Sequence, residues 1–236
     1  MVISMDRRQA AVRREEILRA TARVVAQKGF ARTRVADVAT VLGISSGLVF
    51  YHFETKERLL SEAFSAGNEH DLQTLDEIVS GPGTAIDRLR AVMLMYLPTG
   101  DAEAWCRDVD AWSEGLYTDE IRQACRRNDD RWHSAFRTVI SEATAAGDCH
   151  VEDADQAALQ IKVMLDGLAV ASQVRGTVSR DTAVAWAAQH AATVLGISPE
   201  VLLPAFGDAP PHPAASAAAP ISPREPMEPH GAGLFL

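Results

Sequence analysis

The chain has 236 residues, of which 47% are hydrophobic and 23% charged, values typical of a globular protein with a sizeable core. No uninterrupted apolar run reaches the roughly 20 residues that a membrane-spanning helix needs. The first residues also lack the apolar centre of a secretory signal. We therefore expect a cytoplasmic protein that does not enter a membrane.

The net charge of −9 conceals an uneven distribution of charge along the chain. Residues 1–60 contain 11 Lys and Arg against 6 Asp and Glu, whereas the remaining residues contain 12 against 26. A basic head on an acidic body suits a small DNA-binding domain joined to a body that does not bind DNA.

The predicted elements are all helical. Residues 1–10 form a polar arm that is either disordered or in contact with phosphates. Apolar residues at helical spacing then predict helices at 11–28, 35–42, 46–53, 56–79, 85–97, 101–116, 119–146, 153–174 and 180–195. Because no stretch alternates as a strand would, we expect an all-α fold. It should comprise a three-helix head (1–54), a helical body (55–206) and a Pro/Ala-rich, mostly disordered tail (207–236).

The segment 35–53 contains the pattern on which the functional prediction rests. An apolar helical face ends at Gly43, which can take a positive φ and cap the helix. Ser45 can then cap a second short helix through its hydroxyl. A helix, a tight turn and a second helix are typical of a helix-turn-helix unit, which places the start of its second helix in the DNA major groove. The alternative is a pair of ordinary core helices.

Residues 13–64 resemble the DNA-binding domain of the tetracycline-repressor (TetR) family. The resemblance is carried by Gly29-Phe30, Thr33, Asp37-Val38-Ala39, Gly43-Ile44-Ser45, Gly47-Leu48-Val49, Tyr51-His52-Phe53 and Lys56-Glu57. Two positions depart from the family pattern: Ser46 replaces a frequent basic residue, and Phe50 replaces a frequent tyrosine. These departures leave the operator sequence open.

The resemblance implies how the head meets DNA. Ser46, Gly47 and Leu48 should reach base edges, and Leu48 suits a thymine methyl group. Other residues should contact phosphates or support the start of the reading helix, namely Thr33, Ser45, Tyr51, His52 and Lys56.

The resemblance also implies that the body forms a homodimer and encloses a pocket for a small-molecule effector. Asp166-Gly167-Leu168 and the region 105–112 are similar, more weakly, to the BetI-type subgroup, without specifying a ligand. We expect the dimer seam to use the helices 153–174 and 180–195, through Leu168, Ala183, Ala187, Ala188 and Ala191. The alternative is that these alanines pack only inside one subunit.

Aromatic residues lie beside acidic residues on three predicted helices of the body. The candidate effector residues are Met93, Tyr96, Trp105, Asp108, Trp112, Trp132 and Asp166. Aromatic rings and carboxylates together suit a cation such as a polyamine or quaternary amine. The alternative is that the aromatic residues are core and the acidic residues solvated. Asp166 interrupts an apolar run, so it either meets a ligand amine or pairs within the chain.

We find no catalytic pattern and expect neither a cofactor nor a metal. Asp129, Asp130 and His133 share a helix face but are too few for a metal site. Cys106, Cys125 and Cys149 are too scattered for one and suit reduced thiols. The sequence therefore predicts a ligand-responsive homodimeric repressor that binds a double-stranded operator. The alternatives are a dimeric ligand-binding module without DNA binding and an all-helical enzyme.

Overall fold

The computed structural model describes residues 2–97 and 102–202, and every regular element within those ranges is helical. The α-helices are α1 (Val2–Lys28), α2 (Val35–Leu42), α3 (Ser46–Phe53), α4 (Lys56–Ser80), α5 (Ala85–Tyr96), α6 (Ala102–Gly115), α7 (Asp119–Ala146), α8 (Ala154–Ala169) and α9 (Arg180–Leu195). A π-helical turn, Val170–Val174, continues α8, and a 3-10 turn follows at Pro199–Val201. The all-α prediction is confirmed. The predicted tail, 207–236, lies outside the described residues.

The first three helices enclose a small core of their own. Its members come from all three helices and from the start of α4, namely Ile17, Ala20, Val24, Val35, Val38, Ala39, Val49, Phe53 and Leu59. Gly43 ends α2 with a φ of 64°, and the Ser45 hydroxyl accepts the Leu48 N–H at 3.2 Å. The axes of α2 and α3 differ by 113°, within the usual range for a helix-turn-helix unit. Both predicted caps are confirmed.

Two predicted boundaries are wrong. The arm at 1–10 was expected outside the first helix, but α1 begins at Val2. Residues 2–28 contain neither Gly nor Pro, so nothing in the chain interrupts the helical hydrogen bonds. The region 153–174 was expected as one regular helix, but it changes to a π-helical turn after Ala169. That turn packs against α6.

The long helix α4 joins the head to the body. Leu59 packs in the head core, whereas Leu72 and Leu75 pack in the body core. Between them, a joint cluster combines residues of α1, the α1–α2 turn, α4, α6 and α7, namely Val25, Phe30, Leu60, Phe64, Ala111, Ile121 and Ala124. The domain boundary predicted at 54/55 therefore cuts the chain just before a helix that belongs to both parts.

One polar contact accompanies this joint cluster. The Asp110 Oδ2 atom of α6 accepts the backbone N–H of Phe30 at 2.8 Å. Gly29, with a φ of 82°, leaves room for the contact, since a Cβ atom there would lie 3.0 Å from the same oxygen. The body thus holds the turn between α1 and α2 through a side chain.

One helix of the described residues, Ala154–Val174, is long and apolar enough to cross a membrane by length and composition. Helices α2 and α3 meet the same criterion only if the two helices, which are bent by 113° relative to each other, are counted as one span. This is a weak indication, because the core helices of globular proteins pass the same test. Here Ile161, Leu165 and Leu168 are buried in the body core.

We predict that Asp110→Ala lowers the free energy of unfolding by about 1–2 kcal/mol, because the partly buried Phe30 N–H loses its acceptor. Urea denaturation followed by circular dichroism measures the change. Asp130→Ala removes an exposed carboxylate of α7 and serves as the matched control. Equal unfolding free energies for the two variants would contradict the structural role of Asp110.

Candidate nucleic-acid interface and effector site

The outer face of α3 is the candidate reading surface. Val49 and Phe53 point into the head core, which leaves the opposite side of the helix towards solvent. Gly47 is exposed, while Ser46 and Leu48 are half-buried at the start of the helix. Tyr51 is 79% exposed, and its ring meets that of His52 edge to face at 5.3 Å. The helix therefore presents Ser46, Gly47 and Leu48 at its start and the rings of Tyr51 and His52 about one turn later.

Lys56 and Ser45 lie at the two ends of this surface. Lys56 is half-buried at the start of α4. Ser45 is exposed, but its hydroxyl already accepts the Leu48 N–H. Ser45 therefore stabilises the start of α3 as the N-cap.

Thr33 is placed differently from its predicted phosphate-contacting role. It is 1% exposed, and its hydroxyl donates to the Gly29 carbonyl at 2.7 Å. Its side chain holds the turn between α1 and α2, so the prediction of a phosphate contact from this hydroxyl is wrong.

A basic groove beside that turn was missed by the sequence analysis. It has a volume of about 540 Å³ and is lined by Gln27, Lys28, Ala31, Arg32, Arg34 and Asp37. Lys28 pairs with Asp37 at 2.8 Å, and the Lys28 bond lowers the pKa of Asp37 below its ordinary value. The signal was available, since residues 28–34 hold three basic side chains just before the motif.

Tyr96 is the centre of an aromatic cluster in the body. Its ring meets Trp105, Trp132 and Phe136 edge to face, with centroids 5.7, 4.9 and 5.8 Å away. Trp105 in turn meets Trp112 at 5.7 Å, and its indole N–H donates to the Tyr96 carbonyl at 3.1 Å. The structure thus brings together aromatic residues that the sequence analysis found on three separate helices.

Met93 and Trp132 are mainly packing residues. Met93 is fully buried and Trp132 is 9% exposed, both in the body core. Their predicted effector contacts remain predictions.

Asp166 pairs within the chain, so it is not a carboxylate awaiting a ligand. Its Oδ1 atom accepts the Tyr96 hydroxyl, and its Oδ2 atom accepts Lys162 Nζ at 3.1 Å. Lys162 also binds Asp129 and lies 5.8 Å from the centre of the Tyr96 ring. Burial lowers the pKa of Lys162, but the two carboxylates outweigh it and leave the pKa above its ordinary value. The sequence analysis missed this internal cation, although Lys162 and Asp166 are four residues apart, a spacing that places them on one face of a helix.

Asp108 is in a different situation. Its side chain is 21% exposed overall, but its Oδ1 atom is buried and has no hydrogen-bond partner among the described residues. Arg107 Nε lies 3.8 Å from that oxygen, while another nitrogen of the same guanidinium binds Asn68. Burial raises the pKa of Asp108 to about 6, against the opposing effect of Arg107.

The other acidic residues of α7 do not gather into a metal site. Asp129 binds Lys162, and His133 pairs with Asp155 at 2.9 Å. No group of three His, Cys, Asp or Glu suited to a metal ion occurs in the ranges the structure describes.

The predicted dimer-interface residues do not lie on a surface. Leu168, Ala183, Ala187, Ala188 and Ala191 are all at most 4% exposed and pack in the body core of their own subunit. The outer face of α8 and α9 carries other residues: Leu159 is 50%, Val163 58% and Trp186 46% exposed. The assignment of these alanines to the seam is therefore wrong. Leu159 and Val163 are four residues apart on α8, so the sequence already placed two exposed apolar side chains on one face of that helix.

The geometry defines a class of protein: a helix-turn-helix head on a helical body with a polar, aromatic interior. A model of the bacterial regulatory proteins of the tetR family matches residues 17–63. A model of the C-terminal domain of BetI-type transcriptional repressors matches residues 85–196. The chain belongs to the tetR family, with a BetI-type C-terminal domain. This is a family of transcriptional regulators and not of enzymes.

Individual relatives agree with this assignment. The chain is 29% identical over 130 residues to the HTH-type transcriptional regulator BetI of Stenotrophomonas maltophilia, which covers 52% of this chain and 64% of that protein. It is 41% identical over 51 residues to the HTH-type transcriptional regulator YerO of Bacillus subtilis, a match that covers 22% of this chain. The chain thus spans only 18% of the length of YerO.

The fold is also found among solved structures. A transcriptional regulator from Saccharomonospora viridis in complex with choline superposes with a TM-score of 0.66 at 25% identity. The match covers 79% of this chain and 96% of that one.

The raised pKa of Asp108 predicts a pH dependence of stability. Its ordinary value is 3.8 and its folded value about 6, so between about pH 4 and 6 the unfolded chain has lost a proton that the folded chain keeps. Its contribution to the free energy of unfolding is therefore complete below about pH 4 and is lost as the pH rises through 6. At about 1.4 kcal/mol per pKa unit, the loss is at most about 3 kcal/mol.

Urea denaturation of the native protein and of Asp108→Asn across pH 4 to 7 isolates this contribution. Subtracting the two curves cancels the pH dependence contributed by the other carboxylates. Among them, Asp37 and Asp87 have lowered pKa values, so their contributions to stability increase as the pH rises. A difference that does not change with pH would contradict the assignment.

Proposed function

We propose that this protein is a homodimeric transcriptional repressor that leaves a pseudo-palindromic operator when a cationic small molecule binds in its body. The observation that carries the proposal is the outer face of α3, the second helix of a helix-turn-helix unit, whose first residues are exposed or half-buried. A basic groove at the turn between α1 and α2 lies in the same head. A bound cation at the aromatic cluster would act on α6, which contacts the head through Asp110.

The contacts with DNA divide into two kinds. Ser46, Gly47 and Leu48 reach base edges, because they open the reading helix. Tyr51, His52 and Lys56 contact phosphates, which determine affinity and register but not sequence. The Lys28–Arg34 groove adds positive charge on the side of the head nearest α2.

The homodimer is proposed to form through the outer face of α8 and α9. Leu159, Val163 and Gly167 follow one another every four residues on α8, and Trp186 is exposed on α9. Nothing lies within 4 Å of a Cβ atom added to Gly167, so a partner helix can approach closely there. A second copy is the occupant that a regulator needs, since one reading helix makes too few contacts for tight specific binding.

The cationic nature of the effector rests on the interior of the body. Two carboxylates there, Asp108 and Asp166, are largely shielded from solvent, with side chains 21% and 28% exposed. Burying a carboxylate is unfavourable without a counter-charge, and aromatic rings bind cations through their faces. The structural relative in complex with choline supports the same class of ligand.

We expect Lys56→Ala to weaken binding to all DNA sequences by a similar factor. The loss of one phosphate contact should reduce the slope of log K against log salt by about 0.9. Fluorescence anisotropy with specific and random duplexes at several salt concentrations measures both effects. Arg127→Ala removes an exposed body charge and should leave the slope unchanged. A changed base preference with an unchanged slope would refute the phosphate role of Lys56.

We expect Trp186→Arg to give folded monomers with much weaker operator binding, because a charge is placed in the seam between subunits. Ala188→Arg should instead unfold the subunit, since Ala188 has no exposed surface and the core has no space for the longer side chain. Sedimentation and circular dichroism separate the two outcomes. Tyr117→Arg, at an 84% exposed site after α6, is the control. If Trp186→Arg remained a folded dimer, the outer face of α8 and α9 would not be the dimer interface.

The proposal as a whole is tested by selecting bound fragments from genomic DNA and measuring their release by choline and by spermidine in a gel-shift assay. Selection of a pseudo-palindromic site, followed by release with at least one amine, is the expected result. Failure to enrich any DNA would favour a ligand-binding module without DNA binding. Release by neutral compounds alone would exclude the cationic effector.

A further inference from the structure

The exposed side of the reading helix is narrow. Within α3, the exposed residues are Gly47, Phe50 and Tyr51. Phe50 and Tyr51 lie three and four residues after Gly47, so all three follow one face of the helix. Val49 and Phe53, on the other side of α3, pack in the head core. The surface that can enter a groove of DNA is therefore made of a glycine and two aromatic rings.

Phe50 is surrounded differently from the other phenylalanines of the head. Phe30 and Phe53 are buried, whereas Phe50 is 44% exposed. Gly47, one turn earlier, adds no side chain that could cover the ring. A Cβ atom added to Gly47 would meet only the Ser45 hydroxyl oxygen within 4 Å, at 3.8 Å. The ring of Phe50 thus lies open beside a stretch of backbone that can approach a ligand closely.

The side chains of α3 can form few hydrogen bonds to bases. The helix has the sequence SGLVFYHF from Ser46 to Phe53. These eight residues include no Arg, Lys, Asn, Gln, Asp or Glu, the residues that form the base-specific hydrogen bonds of the major groove. A phenyl ring has neither a donor nor an acceptor. The base feature that suits it is the C5-methyl group of thymine, an apolar group displayed in the major groove.

We propose that Phe50 reads the C5-methyl groups of thymine and so determines part of the sequence preference of the reading helix. The inference rests on the proposed binding to an operator and specifies how that operator is recognised. Gly47 lets the start of α3 approach the base edges, and Phe50 packs on a methyl group one turn later. Leu48 is half-buried and lies two residues before Phe50, so it points to a different side of the helix.

The proposed contact recognises a methyl group and not a base as such. Thymine and 5-methylcytosine both carry this methyl group on C5, whereas uracil pairs with adenine as thymine does but lacks it. Phe50 should therefore accept 5-methylcytosine in place of thymine and should not accept uracil. Removing one such contact should weaken binding about fourfold. Removing it from both half-sites bound by a dimer should weaken binding roughly fifteenfold.

The first experiment selects bound sites with the full chain from three random duplex libraries. One library is made with thymine and cytosine, the second with uracil and cytosine, and the third with uracil and 5-methylcytosine. The first should yield a site with at least one preferred thymine in each half-site. The second should show no preference at that position, and the third should show cytosine there.

The second experiment assigns the methyl preference to a residue. Fluorescence anisotropy gives the dissociation constants for the selected site and for the same site with one uracil in each half-site. The native protein should prefer the thymine site roughly fifteenfold, and Phe50→Ala should bind both sites equally. Phe50→Gln should lose the preference too, while keeping a residue that favours helix. Val41→Ala removes an apolar side chain of α2 that is 54% exposed and should keep the native ratio.

The outcomes separate this inference from the function on which it rests. Equal affinity of the native protein for thymine and uracil sites overturns the reading of methyl groups and leaves operator binding intact. A thymine preference that survives in folded Phe50→Ala or Phe50→Gln but is lost in Leu48→Ala assigns the contact to Leu48 and overturns the role of Phe50. If none of the libraries yields an enriched site, the proposed operator binding and this inference are both refuted.

Discussion

The joint cluster between head and body is the constraint on which the rest of the structure depends. Phe30 and Phe64 meet edge to face at 6.2 Å, and Ala111 of α6 packs into the same cluster. A densely packed cluster of this kind transmits displacement, because its side chains cannot yield without losing contacts. The hydrogen bond from the Phe30 N–H to Asp110 also fixes the relative orientation of the turn and α6, since a hydrogen bond weakens steeply when its distance or angle changes. Any movement of α6 must therefore be accommodated by the turn that precedes the helix-turn-helix unit.

Helix α6 connects the polar interior of the body with the head. Trp105 and Asp108 face the interior from the same helix that carries Asp110 towards the head. Within α6, the two carboxylates are two residues apart but have different partners: Asp110 binds a backbone N–H, and Asp108 has an oxygen without a donor.

Two predictions were wrong because the type of a residue does not show whether its side chain points into the core or towards the surface. The alanines of α9 look suitable for a close interface, but small residues suit close helix packing inside a subunit equally well, and α9 uses them against its own core. The exposed apolar positions on the same helices, Val163 and Trp186, are larger residues that a search for small side chains passes over. The prediction that Thr33 contacts a phosphate was wrong for a similar reason, because its hydroxyl points inwards and donates to the Gly29 carbonyl.

The sequence by itself determined the helical class, the caps at Gly43 and Ser45, and the helix-turn-helix unit, because these depend on local spacing and local hydrogen bonds. It also identified the aromatic and acidic residues of the body. Only the tertiary structure decided which residues of other helices meet these groups: Asp166 of α8 accepts the Tyr96 hydroxyl, which is 70 residues away in sequence, and Lys162 of α8 binds Asp129 of α7. Such pairings depend on how helices cross, and the spacing of residues within one helix carries no information about the helix that packs against it.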